Sequence, residues 1–288
     1  MNSQPVRESK LLNALSVDVE EHFQVAAFAR VVGREEWSSH ESRVRRNTTE
    51  LLDLFDEAGV RATFFILGWV AEREPGLVRE IAARGHEVGS HGYSHQLVYD
   101  QSPQEFRAET ERSRRFLQDT SGQPVLGYRA ASFSIVRENL WALDILVEAG
   151  FRYDSSVFPV VHDRYGLPGA PRGIHRTTTP GGAELLEFPP STVRVGGVTF
   201  PVAGGGYLRL LPRIVSHWAI RRLNVRERMP AMVYLHPWEV DPGQPRIQGT
   251  LPNRLRHYTG LGSMRSKLEG LLQRFRFGTV AEALGPLL

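Results

Sequence analysis

Two histidines four residues apart are the first chemical signal in the sequence. His91 and His95 lie in the segment Ser-His-Gly-Tyr-Ser-His, directly after a short apolar run typical of a strand. Imidazoles at this spacing can bind one metal ion from the same face of a turn. Isolated histidine pairs are more often found at a surface or a helix cap, so the spacing alone does not assign a metal site.

Carboxylates follow another strand-like run near the start of the chain. The segment 16–22 contains Asp18, Glu20 and Glu21. In an extended backbone, Asp18 and Glu20 project to the same side and Glu21 to the other side. Two histidines and one carboxylate would form a three-ligand zinc site with a position left for water, and a further carboxylate beside that water would be a base. A solvated acidic turn is the alternative interpretation.

Three more polar residues come at the ends of strand-like runs: Arg129, Asp154 and His236. Arg129 and Asp154 have an alternative interpretation as ordinary ion-pair partners. His236 has one as a core or loop histidine fixed by Pro237. Taken singly, none of the three indicates a function.

The elements that must position these residues alternate between apolar runs and helical patterns. The predicted strands are 11–17, 60–66, 86–89, 125–128, 151–153 and 231–235, and the predicted helices are 47–58, 75–84, 102–119, 137–148, 210–223 and 264–275. Such alternation indicates parallel strands with crossover helices. Because the carboxyl ends of the strands form the active-site rim of β/α folds, we expect the five polar clusters to meet there.

Composition excludes several classes of protein. The 288 residues include ten histidines and no cysteine, which removes thiolate nucleophiles, thiolate metal sites and disulfides. A net charge of +3 is too small to predict a nucleic-acid partner. Neither a membrane-spanning segment nor an export signal is recognisable, so we expect a cytoplasmic protein, with peripheral association at the inner membrane face as an alternative. The arginine-rich segment 213–228 is interpreted as a solvated helix face or as a surface that docks on an anionic membrane or a biosynthetic partner.

The order of the five strand-end clusters resembles the polysaccharide deacetylases with a NodB homology domain, carbohydrate esterase family 4. It is most similar to the subgroup found with bacterial exopolysaccharide loci and exosortase systems, through the His-Pro-Trp-Glu segment at 236–239, the segment 256–261 and the last helix. The resemblance implies one domain over residues 1–288 with the fold of a distorted (β/α) barrel. A loop and hairpin insertion at 159–206 and a helical C-terminal extension at 240–288 would complete it.

The resemblance implies a role for each motif residue. Asp18 corresponds to the general base, His91 and His95 to the metal histidines, Arg129 to the arginine that pairs with the base, Asp154 to the carboxylate that orients the catalytic histidine, and His236 to the general acid. Val19 occupies the position of the family's usual metal carboxylate. We therefore assign the ligand to Glu20, in agreement with the same-side geometry, and keep Glu21 as the alternative.

The resemblance also implies a cofactor and a substrate. The cofactor would be one divalent ion, Zn²⁺ before Co²⁺ or Ni²⁺, and a backbone N–H near Ser132 would hold the oxyanion. Tyr93, Phe133 and Trp238 flank motif residues and would line a sugar-binding groove, with core packing as an equal alternative. The partner would be an N-acetylated polysaccharide or oligosaccharide, and no nucleic acid.

The predicted function is metal-dependent removal of N-acetyl groups from a bacterial exopolysaccharide or its precursor. One alternative is a small-molecule amidase of the allantoinase type, because related chains carry similarly altered first motifs. Another is a catalytically silent carbohydrate-binding subunit. Acetate release from N-acetylglucosamine oligomers, ring-opening of small cyclic amides, and sugar binding without turnover distinguish the three.

Overall fold

A predominantly parallel β-sheet with helices packed around it forms the centre of the protein. The computed structural model describes residues 9–162, 164–202 and 204–288. The strands are β1 Leu12–Val19, β2 Thr63–Ile66, β3 Glu87–Ser90, β4 Gly127–Tyr128, β5 Tyr153–Asp154, β6 His175–Thr178, β7 Glu184–Glu187, β8 Thr192–Val195, β9 Val198–Pro201, β10 Met232–Leu235 and β11 Arg276–Gly278. The helices are α1 Val44–Ala58, α2 Gly68–Arg73, α3 Pro75–Ala83, α4 Pro103–Ser121, α5 Trp141–Glu148, α6 Gly205–Leu210, α7 Arg213–Arg221, α8 Leu251–Tyr258, α9 Leu261–Arg274 and α10 Val280–Leu284. The N-terminal residues 1–8, on which the expected lack of an export signal depends, lie outside the described residues.

The main sheet has nine strands in the described part of the chain. Their order is β10-β1-β2-β3-β4-β5-β7-β6, and β11 pairs with the first half of β1. All neighbouring strands are parallel except β6 and β7, and β8 and β9 form a separate antiparallel hairpin. The predicted α/β class with a parallel sheet is therefore confirmed.

The parallel arrangement brings the carboxyl ends of the strands to one edge of the sheet. Register pairs Ser90 with Tyr128 and Tyr128 with Asp154, so β3, β4 and β5 end at the same level. On the other side of the sheet, β1 pairs with β10 up to Val17 and Leu235. The residues that follow these strands are consequently neighbours in space although they lie far apart in the chain.

Local signals fix where the longer helices begin and end. Ser102 caps α4, because its side chain accepts a hydrogen bond from the Glu105 N–H and its own N–H donates to the Glu105 carboxylate. Helix α1 ends at Gly59, whose φ of 62° is the left-handed conformation that glycine adopts without steric cost. Both boundaries lie close to those predicted from the sequence.

The structure differs from the predicted elements in several places. The helix predicted at 210–223 begins instead at Arg213 as α7, and Leu210 ends the separate helix α6, because Pro212 has no N–H and Leu211 is extended. The short helix α2 and the three-residue strand β11 were not predicted, since neither is long enough to show a period. Among the described residues, no helix combines the length and apolar character needed to cross a bilayer.

Candidate active site

Three side chains at the carboxyl ends of β1 and β3 converge on one point. One ligand atom each from Glu20, His91 and His95 lies within 4.8 Å of the other two, and no other group of three or more such residues is found in the described chain. Glu20 and His91 are buried, and the side chain of His95 is 6% exposed. A carboxylate and two imidazoles in this arrangement are a typical ligand set for Zn²⁺ or a related ion, with a coordination position left open.

The Glu20 carboxylate suits a cation. Its Oε1 atom accepts a hydrogen bond from Trp238 Nε1 at 3.1 Å. Its Oε2 atom lies 2.8 Å from His95 Nε2 but has no hydrogen bond of acceptable geometry with a described residue. Burial raises the pKa of Glu20, but the rings of His95, His236 and His91 outweigh burial and lower the pKa to about 2. A buried, ionised oxygen without a hydrogen bond is stabilised by a metal ion.

His91 is held in the tautomer that a metal ligand requires. Its Nδ1 atom lies 2.8 Å from the backbone carbonyl oxygen of Arg129, which can only accept a hydrogen bond. The proton is therefore on Nδ1, and Nε2 carries the lone pair. Burial is the main cause that lowers the pKa of His91 to about 4, so the ring is neutral near pH 7.

Glu21, the alternative ligand, has a different role. Its carboxylate accepts hydrogen bonds from the Ser42 hydroxyl at 2.5 Å and from the backbone N–H groups of Arg43 and Val44 at 3.0 to 3.2 Å. These N–H groups lie at the first turn of α1, where an anion is favourable. The structure thus assigns Glu21 to the helix N-terminus and leaves Glu20 facing the two histidines.

Asp18 lies beside the triad and is held by Arg129. The Arg129 guanidinium donates to Asp18 Oδ1 at 2.6 Å and to Ser16 Oγ at 2.8 Å, and it is fully buried. A second nitrogen of the guanidinium donates to Ser155 Oγ at 2.9 Å, which joins the ends of β1, β4 and β5. Because Oδ1 is used in this way, Oδ2 is the Asp18 atom that faces the cavity and His236, whose Nε2 lies 4.0 Å away.

His236 is oriented by Glu239, and the prediction that Asp154 orients it is wrong. Glu239 Oε2 lies 3.0 Å from His236 Nδ1 and also accepts a hydrogen bond from the His236 backbone N–H. Glu239 Oε1 in turn accepts from the buried Arg209 at 2.8 Å. Burial lowers the pKa of His236, but the hydrogen bond and charge of Glu239, followed by Glu20 and Asp18, outweigh burial and raise it to about 9.

Asp154 instead belongs to a buried group behind the Arg129 loop. It accepts hydrogen bonds from the hydroxyl and N–H of Ser156, and the Ser156 hydroxyl accepts one from the Ala130 N–H at 2.8 Å. Burial raises the pKa of Asp154 and, together with Asp154 itself, that of Glu187. Within the described residues no hydrogen bond or ion pair joins Asp154 to His236, because a β5 side chain points here into the loop that follows β4.

Sequence analysis missed Glu239 and Arg209. The signal for Glu239 was present in His-Pro-Trp-Glu, because a proline at the first helical position and a glutamate at the third are typical of a capped helical turn. In that turn the Glu239 carboxylate folds back and accepts a hydrogen bond from the His236 N–H. Arg209 lies in α6, and no local pattern connects it with residue 239.

The segment that follows Arg129 has an unusual backbone. Ser132 and Phe133 have φ values of 51° and 55°, and His95 has 53°. Of the four non-glycine residues with positive φ in the described chain, three thus lie at this site. Such strain persists only where the surrounding structure fixes it, and it is concentrated at functional sites. Ser132 borders the cavity, and its N–H donates no hydrogen bond to a described residue.

A cavity of about 260 Å³ opens over the triad. Asp18, Ser132, Phe133, His236 and Trp238 line it, together with aromatic side chains from the segments around residues 165, 207 and 234. Phe133 and Trp238 are nevertheless 5 to 6% exposed, and Trp238 is stacked between the rings of His236 and His257. These two aromatic side chains therefore form part of the cavity wall as well as packing in the interior.

Tyr93 does not line this cavity, contrary to its predicted place in a sugar groove. Its hydroxyl donates to Glu72 at 2.9 Å, and the Arg112 guanidinium lies 3.9 Å above its ring. These two contacts direct the Tyr93 ring toward α2 and α4. The site thus presents a triad that could hold a metal ion, a carboxylate held by an arginine, and an imidazole held by a glutamate, all facing one cavity.

Two family models match the chain. Residues 38–153 match the polysaccharide deacetylase model, and residues 155–285 match a domain of unknown function, DUF3473. The first match contains both histidines of the triad and the second contains His236, whereas Asp18 precedes them both. The side chains of the site therefore come from both matched regions and from the segment before them.

Curated relatives with known names are similar to about half of the chain. A peptidoglycan-N-acetylglucosamine deacetylase from Bacillus cereus is 29% identical over 147 residues, which are 47% of this chain and 52% of that protein. A chitooligosaccharide deacetylase from Bradyrhizobium sp. is 28% identical over 153 residues, which are 51% of this chain and 68% of that protein. The chain thus spans about half the length of the first relative.

Solved structures extend the likeness in fold over nearly the entire chain. Puue allantoinase has a TM-score of 0.61 at 14% identity and covers 96% of this chain and 89% of its own. A Mycobacterium smegmatis protein proposed to be a polysaccharide deacetylase has a TM-score of 0.58 at 21% identity, over 96% of this chain and 91% of its own. At these identities the likeness concerns the fold alone. The family-model match and the curated deacetylases show that residues 38–153 belong to a polysaccharide deacetylase domain, of the NodB or carbohydrate esterase family 4 type.

Proposed function

We propose that this protein is a divalent-metal-dependent deacetylase that hydrolyses the N-acetyl groups of hexosamine units in a bacterial exopolysaccharide or its precursor. The observation that carries the proposal is the convergence of Glu20, His91 and His95 beside Asp18 and His236 at one cavity. The named deacetylase relatives support this reaction class. Zn²⁺ is the proposed ion, with Co²⁺ or Ni²⁺ as substitutes, because one carboxylate and two imidazoles suit these metals.

Two groups transfer protons in opposite directions: Asp18 accepts one and His236 donates one. A divalent ion at the triad would supply Lewis-acid activation of a water molecule and of the acetamide carbonyl. Asp18 Oδ2 accepts a proton from the attacking water, and His236 Nε2 donates one to the amide nitrogen as the C–N bond breaks. The products are acetate and a free amine. Asp18 Oδ2 and His236 Nε2 lie 4.0 Å apart, which is too far for a hydrogen bond between them. Both atoms are therefore free to act on a substrate in the cavity.

The remaining residues position these groups. Arg129 donates a hydrogen bond to Asp18 Oδ1 and so fixes which of the two carboxylate oxygens faces the substrate. Glu239 holds the proton of His236 on Nδ1 and stabilises the imidazolium form. The N–H of Ser132, in its left-handed backbone conformation, is proposed as a donor to the oxyanion.

The two matched regions are proposed to act as one domain over the full chain. His91, His95 and Arg129 come from the first region, and His236 and Glu239 come from the second. Neither region alone contains both a metal-ligand pair and the proposed acid. A cavity of about 260 Å³ is near the lower end for small-molecule sites, so we infer that one sugar unit enters it at a time.

The experiment is acetate release by the purified protein from N-acetylglucosamine oligomers, measured before and after treatment with a chelator and after addition of Zn²⁺. The proposal expects about one divalent ion per chain, loss of acetate release in chelator, and recovery with the metal. Undiminished acetate release without metal would overturn it. Ring-opening of small cyclic amides in place of acetate release would identify an amidase, and sugar binding without either product would identify a silent carbohydrate-binding protein.

A further inference from the structure

An exposed apolar and arginine-rich surface lies on the hairpin and the helix that precede and follow α6, a helix that lines the cavity. Of the thirteen large apolar side chains that are exposed in the described chain, seven fall between residues 195 and 225. Six of them are on two neighbouring elements: Val195, Val198 and Phe200 on the β8–β9 hairpin, and Ile214, Trp218 and Val225 on α7 and the turn after it. We call these six residues the 195–225 surface. Single exposed apolar residues are ordinary, but a cluster of this kind marks an interaction site.

The helix contributes one continuous stripe. Ile214, Trp218 and Arg221 follow the i, i+4, i+7 spacing, which places them on the same face of α7. The opposite face is buried through Ala219 and Ile220. Ile214 is 77% exposed and Trp218 is 45% exposed, so the stripe projects into solvent while the helix itself is anchored.

The hairpin joins this stripe through Arg222. Its guanidinium lies 5.6 Å from the centre of the Trp218 ring and donates a hydrogen bond to the Arg194 carbonyl at 2.8 Å. Arg194 is on β8, between the exposed Val195 and the buried Val193. The two elements therefore lie side by side, and their apolar residues belong to one region of the surface.

The charge of this region has one sign. Residues 188–238 contain seven arginines, of which Arg209 is buried and the other six are not, and a single acidic residue, Glu227. Glu227 is already paired with Arg172 at 2.9 Å and Arg222 at 3.0 Å. An anionic partner therefore meets little repulsion here, whereas the chain as a whole carries a charge of only +3.

We propose that the 195–225 surface docks on an anionic phospholipid bilayer. Exposed tryptophan and aliphatic side chains surrounded by arginine are typical of helices that lie in the membrane interface. The charge complementarity favours acidic lipid headgroups over neutral ones. An acidic protein partner would supply the charge, but the protruding aliphatic side chains fit the acyl boundary of a bilayer without requiring a matching pocket.

The position of the 195–225 surface determines which part of the protein would face the bilayer. Helix α6, which lines the cavity through residues 205–207 and 209–210, is joined to α7 by Leu211 and Pro212 alone. Docking through α7 would therefore bring the wall of the cavity close to the lipid headgroups. The inference goes beyond the proposed reaction and does not depend on it, because binding to lipid is measured without turnover.

The test is co-sedimentation of the full chain with vesicles of phosphatidylcholine alone and of phosphatidylcholine mixed with an equal part of phosphatidylglycerol, at low and at high salt. We expect binding to the mixed vesicles only, weakened by salt. The double variant Ile214→Ser with Trp218→Ser should lose at least about tenfold in affinity. Its matched control is Val31→Ser with Val161→Ser, two exposed apolar residues elsewhere, which should bind like the wild type.

Charge is tested separately. Arg194→Gln with Arg226→Gln should weaken binding by roughly fivefold for each arginine, and Arg79→Gln with Arg115→Gln, on other elements, should not. Phe200→Ser on the hairpin repeats the apolar test if the α7 variant unfolds. Failure of the wild type to bind mixed vesicles, or equal binding by all variants, would overturn the proposal. A dimer that the α7 variant dissociates would also overturn it, because the occupant would then be a second copy of the chain.

Discussion

Replacing Glu239 with glutamine is expected to move the alkaline limit of activity. His236 must be protonated to act as the proposed acid, and its pKa is raised from 6.5 to about 9. This difference corresponds to about 3 kcal/mol in favour of the imidazolium form. The Glu239 hydrogen bond is the largest of the effects that raise the pKa, and a hydrogen bond to a charged group is worth about 1.5 to 3 kcal/mol. Glu239→Gln should therefore lower the alkaline limb by about 1 to 2 pH units.

The assay is the pH dependence of kcat/KM for acetate release. Activity of the variant should be close to that of the wild type near pH 6, and it should be roughly tenfold lower at pH 9, because less of His236 remains protonated. Glutamine keeps one oxygen that can accept the hydrogen bond from Arg209, and it replaces the oxygen beside His236 with an NH2 group, so the change removes both the acceptor and the negative charge at the ring. The control is Asp154→Asn, which removes the carboxylate that the sequence assigned to this task.

Two results would refute this reasoning. One is an alkaline limb that stays in place in Glu239→Gln, and the other is a limb that moves equally in Asp154→Asn. Stability gives an independent measurement. Because the folded-state pKa of His236 is raised, its contribution to stability is fully present below about pH 6.5 and is lost as the pH rises through about 9. The free energy of unfolding should therefore depend less on pH over this interval in Glu239→Gln than in the wild type.

Three further predictions concern the triad and the base. Glu20→Gln should lose the bound metal and at least about a hundredfold in activity, whereas Glu21→Gln should keep the metal and lower the free energy of unfolding by about 1 to 3 kcal/mol, as measured by metal analysis and denaturant unfolding. Trp238→Phe removes the hydrogen bond to Glu20 and should weaken metal affinity roughly 10- to 100-fold in a chelator competition. Asp18→Asn should lower kcat by about 10²- to 10⁴-fold with the metal content unchanged.

Each of these predictions has a contrary outcome. Equal metal loss in the Glu20 and Glu21 variants would contradict the assignment of Glu21 to the helix N-terminus. Wild-type metal affinity in the Trp238 variant would show that its hydrogen bond does not orient the ligand. Full activity in the Asp18 variant would leave the reaction without its proposed base.

Much of the site was predictable because the carboxyl ends of parallel strands meet at one edge of the sheet, even when the strands lie far apart in the chain. Residues that follow the strands β1, β3, β4 and β10 share one edge, so motif positions in the sequence already indicate neighbours in space. The alternation of side chains in an extended backbone also favours Glu20 over Glu21 as the residue on the side of Asp18. Strand positions and side-chain alternation, both readable from the sequence, were sufficient for these two predictions.

The remaining parts depend on contacts that no local pattern records. The resemblance to the family assigned Asp154 to His236, yet the Asp154 side chain turns into the loop after β4 and accepts a hydrogen bond from Ser156. The true partner of His236 is fixed by Arg209, which lies about thirty residues earlier and on another element. Such a choice is made by burial and by competition among hydrogen-bond partners, which are properties of the folded chain.

Arg209 also connects the Glu239 carboxylate with the end of helix α8. Besides Glu239, it donates hydrogen bonds to the backbone carbonyls of Arg256, His257 and Thr259 at the end of α8. In a chimera, α8 could be exchanged so that the cavity accepts a different sugar. Such an exchange would also disturb Glu239, the carboxylate that raises the pKa of His236. Changes of substrate preference in this segment should bring an altered pH optimum with them, and the two properties will have to be selected together.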